Sequence, residues 1–221
     1  MNAREALGRL RALKVPAATT SEAAAVLGLT IEAASQTLRR LAAAGLVQGV
    51  RKGLWALGES SSALALAEYV TAPYPSYVSL QTALYRRGLV EQIPSMVFLV
   101  SVGRPARVAT SLGTYSVHHV DPSLFGGFDV DAAGVKMATA EKALVDFLYL
   151  SPARSGLFAA LPELELPRDF RWPLAREWSA RIPSARGRTI VDRRLAELQA
   201  GARRAASGRA LPTRLPSAVR P

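Results

Sequence analysis

The first sixty residues are punctuated too often for a long helix, and that spacing constrains the chain more than any other feature. Pro16, the run Thr19-Thr20-Ser21, Gly28, Thr30, Gly45 and Gly53 divide the segment into short pieces. Leu7, Leu10 and Leu13 recur at helical spacing before Pro16, which predicts a first helix over Asn2 to Lys14. Thr19, Thr20 and Ser21 offer N-caps to a second helix, Glu22 to Leu27, which Gly28 ends. Thr30 caps a third, Ile31 to Ala44, with Gly45 supplying the left-handed residue after it. Two strand-like runs follow, Leu46 to Val50 and Leu54 to Leu57, joined by the basic turn Arg51-Lys52-Gly53. Helix, helix, turn, helix, hairpin is the order of a winged helix-turn-helix.

In that arrangement Ala34, Leu38, Leu41 and Gly45 lie three or four apart, and the expectation is that they pack on Leu10, Leu13, Val26 and Leu27. Ser35, Gln36, Arg39 and Arg40 then face outward, and a helix fits the major groove of duplex DNA. Glutamine pairs with adenine and arginine with guanine, each bidentate contact contributing about 1–3 kcal/mol of discrimination. Thr19, Thr20, Ser21 and Thr30 stand where helix N-termini would meet phosphates, and Arg51 and Lys52 sit at a hairpin tip suited to phosphate or the minor groove. Each element alone has a plainer explanation: paired arginines are usually a solvated helix face, and a basic turn is weak evidence. The order of the elements carries the DNA-binding reading, against the alternative of a winged helix that docks protein.

Charge adds to it. The chain carries a formal +11, distributed as +4 over residues 1–60, −1 over 61–150 and +8 over 151–221. An excess at both ends around a neutral middle suits a polyanion-binding protein with a packed central domain, although solubility alone also explains a basic surface. There is no cysteine, so disulfides, zinc–thiolate sites and thiol nucleophiles are excluded. No apolar stretch approaches the roughly 20 residues of a membrane span, and the alanines and leucines of the N-terminus are interrupted by Arg4, Arg9 and Arg11. The expectation is a soluble, cytoplasmic protein without a membrane partner.

Beyond a seam at Ser60-Ser61-Ser62, helix and strand alternate. Helices are predicted at Ser79–Arg87 and Thr139–Leu150, the latter with Ala143, Leu144, Phe147 and Leu148 as its buried stripe, and strands at 96–102, 107–110 and 115–120. Prolines thicken after Ser151; two more helices, Pro173–Arg181 and Thr189–Ala206, precede a basic tail from Ser207. The stripe Ile190, Val191, Leu195 and Leu198 predicts a docked helix with Arg193, Arg194, Arg203 and Arg204 outward, candidates for additional phosphate contacts. The fold class expected is mixed α+β: a winged helix-turn-helix at 1–60, an α/β effector domain at 61–160, a helical, arginine-rich extension at 161–206 and a flexible tail at 207–221.

Three constellations invite chemistry. Gly126-Gly127-Phe128-Asp129-Val130-Asp131 offers two aspartates at a spacing that could hold Mg²⁺, but no helix separates the glycines from the acids, so a glycine-rich turn with solvated carboxylates is preferred. His118 and His119 point to opposite faces of a strand and cannot share a metal. Lys142 and Asp146 are four apart and pair along one helix face for a few tenths of a kcal/mol, roughly the usual size, while Glu141 suits the first turn. No catalytic role, metal or cofactor is expected.

Family likeness enters through the middle of the chain. Tyr77-Val78-Ser79-Leu80-Gln81-Thr82-Ala83-Leu84-Tyr85, Gly88-Leu89-Val90-Glu91-Gln92-Ile93-Pro94, Val97 to Val100, Gly113-Thr114-Tyr115, Leu124-Phe125-Gly126 and Ala138-Thr139-Ala140-Glu141-Lys142-Ala143-Leu144-Val145-Asp146 together resemble the AbiEi-type antitoxins, regulators of viral defence systems. The likeness covers about residues 5–160. It implies an N-terminal domain that represses its own operon by binding inverted repeats in the promoter. It also implies a second domain that counteracts a co-encoded nucleotidyltransferase-like toxin, with no direct contact assumed, and a non-enzymatic role for this chain. The alternative is a one-component regulator whose middle domain senses a small ligand.

Overall fold

The computed structural model describes residues 2–58, 62–151, 164–167 and 169–208. The expected seam at Ser60 and Ser61, and all but the first two residues of the expected tail, lie outside the described residues. The fold is mixed α+β: N-terminal helices with a three-stranded sheet, a six-stranded mixed sheet, and C-terminal helices.

The N-terminal unit runs α1 (Ala3–Arg11), β1 (Ala17–Thr19), α2 (Thr20–Leu27), α3 (Ile31–Ala43), β2 (Gln48–Arg51) and β3 (Leu54–Ala56). Its strands pair antiparallel in the order β1-β3-β2. Local chemistry sets the boundaries. Asn2 caps α1, Thr19 and Glu22 form a reciprocal capping box at α2, and Thr30 accepts the Ala33 N–H at α3. Gly28 ends α2 with φ +66°. Ala6, Leu10, Ala23, Leu27, Leu38, Leu41, Val47 and Leu57 close a small core.

Two residues expected in that core lie outside it. Leu13 is 36% exposed, because α1 stops at Arg11 and Lys14 turns the chain away with φ +53°. Gly45 is exposed and works at φ +71° as a turn, letting the Leu46 N–H reach the Leu41 carbonyl at 2.9 Å. Val26 is only half-buried.

The second unit comprises α4 (Ala67–Thr71), β4 (Ser76–Val78), α5 (Leu80–Arg86), β5 (Val97–Ser101), β6 (Ala106–Thr110), β7 (Gly113–His119), β8 (Phe128–Val130), β9 (Lys136–Ala138), α6 (Ala140–Leu150), α7 (Trp172–Ala180) and α8 (Ala185–Gly208). The strand order is β6-β7-β5-β4-β9-β8, with β4 parallel to β9, β5 parallel to β7, and the other pairs antiparallel. Period-two alternation sorts the side chains between two cores. Tyr77, Phe98, Val100 and Ala138 pack among the helices α5 to α8. Val78, Leu99, Tyr115 and Val117 pack on the other face with α4 and with Ala17, Val50, Leu54 and Ala56 of the N-terminal sheet. The two sheets therefore share one apolar cluster, and the six-stranded sheet lies between the N-terminal unit and the C-terminal helices.

The C-terminal helices are integral to the larger core. Ala175, Trp178, Ile182, Val191 and Leu195 are all buried in it. Trp178 lies so close to Gly127 that a Cβ there would sit 2.7 Å from the ring, at a φ of +71°. The glycine pair thus makes room for a tryptophan from fifty residues downstream.

Candidate nucleic-acid interface

Exposed polar side chains stand on the outer face of α3 and on the β2–β3 turn. Ala34, Leu38 and Leu41 face inward at 1% exposure or less. At about 100° per residue this turns Glu32, Gln36, Arg39 and Arg40 to solvent, with Ser35 half-buried on the flank. Gln36 and Arg39 make no side-chain hydrogen bond or ion pair among the described residues. Arg40 only leans 3.4 Å from the Thr37 hydroxyl, which itself donates to the Ala33 carbonyl. Sequence reasoning passed over Glu32 and Ile31; Ile31 opens the helix with 55% of its surface exposed. The helical period could have found Glu32, which falls off the Ala34–Leu38–Leu41 stripe; Ile31 falls on that stripe and is exposed because it stands in the first turn.

The expected capping residues separate into three roles. The Thr19 hydroxyl is occupied, accepting the Glu22 N–H at 3.1 Å and donating to the Glu22 carboxylate at 2.9 Å. The Thr20 hydroxyl accepts Nε1–H of Trp55 at 3.0 Å, tying α2 to β3. The Thr30 hydroxyl serves its own helix. Of Thr19, Thr20 and Ser21 at the start of α2, only Ser21 is exposed. The Thr20 N–H donates to the Gly53 carbonyl at 2.9 Å, so the β2–β3 turn abuts the start of α2 and brings Lys52 to the same end of the unit. Lys52 is exposed, with no partner among the described residues. Arg51 is committed elsewhere: its Nη2 donates to the Val70 carbonyl at the end of α4, 3.3 Å away.

The arginines of α8 are not part of this surface. α8 packs on α6 and α7, on the face of the large sheet opposite the N-terminal unit. Arg194 is half-buried and donates to the Ser151 hydroxyl; Arg193, Arg203 and Arg204 are exposed.

The residues of the second unit that invited chemistry are mostly engaged. Asp129 pairs with Arg87 at 2.8 Å, and Arg87 also donates to the Ala138 and Met137 carbonyls. Asp131 accepts the N–H groups of Ala133 and Val135, closing its own turn. Both carboxylates are thus tied into the fold, beyond the expected solvation. His118 sits 2.9 Å from the Ser116 hydroxyl and stacks on Phe98, while His119 meets the Gly103 carbonyl at 3.0 Å. Burial lowers the pKa of His118. Among the described residues no three His, Cys, Asp or Glu side chains group as a metal site.

One expectation is overturned by burial. Lys142 and Asp146 do pair, but at 0% and 1% side-chain exposure, not along a solvated face. Lys142 Nζ also donates to Tyr77 Oη at 2.8 Å; Asp146 accepts from Tyr77 at 3.0 Å and from Ser79 at 2.7 Å. The rings of Tyr77 and Trp178 stand 5.3 and 5.1 Å from the ammonium. Burial lowers the pKa of Lys142, opposed by the carboxylate, and raises that of Tyr77. Leu80, next to Ser79, is held at φ +52°. Glu141 is buried too, against the expectation of a simple first-turn charge. Burial pushes its carboxyl up, but the Arg171 N–H at 3.0 Å and guanidinium at 3.2 Å outweigh it and hold the pKa below its ordinary value.

A scan of the sequence against protein-family models finds no match, and a search among curated proteins finds none either. No helix among the described residues is long and apolar enough to cross a membrane.

Proposed function

We propose that the N-terminal unit is a winged helix-turn-helix that binds duplex DNA, with α3 as the recognition helix and the β2–β3 hairpin as the wing. The observation that carries this is the outward face of α3. Gln36 and Arg39 stand solvated and uncommitted there, beside Arg40, above a core that fixes the helix. Side chains of this kind reach base edges without breaking any contact of the fold. Lys52 and Ser21 flank them as phosphate ligands. Arg51 ranks below Lys52, since reaching DNA would cost it the Val70 carbonyl.

In the fuller reading the chain is the autoregulatory antitoxin of an AbiE-like toxin–antitoxin system, in which the second unit counteracts a nucleotidyltransferase-like toxin. The motif resemblance supports it. Of the stretches that carry it, Glu141 to Asp146 is buried, so its likeness is one of architecture. Glu91-Gln92-Ile93 lies on the surface, where a difference in activity can be written. One observation favours the alternative of ligand sensing. An open groove of about 420 Å³, lined by Tyr85, Arg86, Ile93, Met96 and Leu112 among others, lies beside the β6–β7 turn.

The test is fluorescence anisotropy of the full chain against its own upstream DNA and a scrambled duplex over a range of salt. The expected result is preferential binding to the former, its affinity falling with a log–log slope of roughly −0.9 per phosphate contact. Arg39→Ala with Arg40→Ala should abolish the preference while the circular dichroism spectrum is unchanged. Equal, weak binding to both duplexes would return the unit to a protein-docking role. Co-expression with the neighbouring gene separates the fuller readings: a neighbour that is harmless alone, or toxic despite this chain, removes the antitoxin.

A further inference from the structure

The wing is held by a residue of the other unit. Ser111, at the tip of the β6–β7 hairpin, makes three hydrogen bonds to β2: its N–H donates to the Val50 carbonyl at 3.1 Å, its hydroxyl donates to the Gly49 carbonyl at 2.9 Å, and the same hydroxyl accepts from Gln48 Nε2 at 3.2 Å. These fall on the edge of β2 that no strand among the described residues covers, since β3 occupies the other. They coincide with a break in the β2–β3 register between Gly49 and Arg51. The Val50 side chain at that break is buried in the shared cluster with Leu66, Val70 and Tyr115. Lys52 follows two residues later. The hairpin is therefore gripped just before its tip, by three polar contacts on the open edge and one apolar anchor beneath.

We propose that Ser111 is a positioning residue of the DNA interface: from the six-stranded sheet it fixes the direction in which the wing presents Lys52 to a phosphate. The proposal rests on the reading of α3 and the wing as DNA-binding. Its physical basis is preorganisation. Strands of three and four residues form a hairpin of marginal stability by themselves. A wing left to fluctuate would have to be ordered when DNA binds, at the expense of affinity. Ser111 does that ordering in the free protein. The central sheet is thereby part of the DNA-reading apparatus, and a partner that displaces the β6–β7 turn weakens DNA binding without touching α3.

The experiment uses the full chain and a duplex that the wild type selects from a random-sequence pool. Anisotropy titrations over a range of salt compare wild type, Ser111→Ala, Lys52→Ala and the double variant, with Ser111→Thr retaining the hydroxyl. Ser111→Ala should weaken binding about fivefold, a typical net hydrogen bond, and flatten the salt slope by roughly 0.9, one phosphate contact. In the Lys52→Ala background it should have no further effect, and Ser111→Thr should bind as wild type does. Gln48→Ala, which removes a single bond, serves in its place should Ser111→Ala not fold. A full loss in the Lys52→Ala background, or an unchanged affinity or salt slope, overturns the proposal. A pool that yields no selected duplex at all instead removes the DNA-binding reading beneath it.

Discussion

Replacing Asp146 by alanine should destabilise the protein far more than breaking an ordinary helical ion pair. An exposed i,i+4 pair contributes about 0.2–0.5 kcal/mol. Here both partners are sealed from water, and the change would leave the Lys142 ammonium with only the Tyr77 hydroxyl and two aromatic faces. Removing one partner of a buried pair costs about 3–5 kcal/mol. For a chain of this size that lowers the melting temperature by about 6–20 °C, at about 2–4 °C per kcal/mol. Lys142→Met should cost less, because the carboxylate it leaves still accepts from Tyr77 and Ser79. Converting the whole cluster with Lys142→Met, Asp146→Leu, Tyr77→Phe and Ser79→Ala should recover most of the loss, as apolar replacements of buried pairs often do. Urea unfolding followed by tryptophan fluorescence measures all three, with Trp178 beside the pair as reporter. A loss below about 1 kcal/mol for Asp146→Ala would refute the reasoning, since it would mean that water reaches Lys142.

Gly127→Ala forces a Cβ to within 2.7 Å of Trp178 and 2.9 Å of Lys142 Cγ at a left-handed φ, and should cost about 2–4 kcal/mol in the same assay. Tyr115, whose hydroxyl donates to the Ala63 carbonyl at 2.8 Å, is pushed by burial up to about 12. A group raised in the folded state stabilises fully below its unfolded pKa of 10.0 and loses that stabilisation as pH rises through the folded value. Wild type should therefore lose stability relative to Tyr115→Phe between pH 10 and about 12, measured by parallel denaturant titrations; parallel curves would place Tyr115 in solvent. Ile31 stands exposed at the start of α3 and can meet a thymine methyl group. Replacing operator thymines one at a time by deoxyuridine should weaken wild type at one position and leave Ile31→Ala indifferent there. Equal losses in both proteins count against it.

Much of the helical framework was legible from spacing alone. Leu38 and Leu41 mark α3, and Val191 and Leu195 mark α8, because a 3.6-residue period over three turns is a long signal. β1, β4, β8 and β9 were missed, each being three residues long. Alternation over three positions carries almost no information, and these strands exist because neighbours pair with them. On the candidate interface, the outward setting of Gln36, Arg39 and Arg40 followed from the inward setting of Leu38. The attachment of Arg51 to Val70 and of the wing to Ser111 did not. Such contacts span 19 and about 60 residues and depend on how two units meet. The Lys142–Asp146 spacing was visible and its burial was not. Nothing near position 142 announces that Trp178 will close over it, and Gly127, which admits that ring, reads locally as a turn.

The dependence of the central core on α7 and α8 has a consequence for synthesis. Asp146 leaves the ribosome some fifty residues ahead of Leu195, an interval of roughly 2–10 s at about 5–20 residues per second. During it the face of α6 carrying Leu144 and Phe147 lacks its final cover, and the Lys142 ammonium is still hydrated. The N-terminal unit closes its own small core around Leu10, Leu38 and Leu41 and is finished well before. A nascent chain therefore passes through a stage with a complete α3 and an open, adhesive flank. A product cut short in that stage keeps the face that meets the outside world and lacks the helices that seal the interior, which marks it for aggregation or proteolysis before it can act.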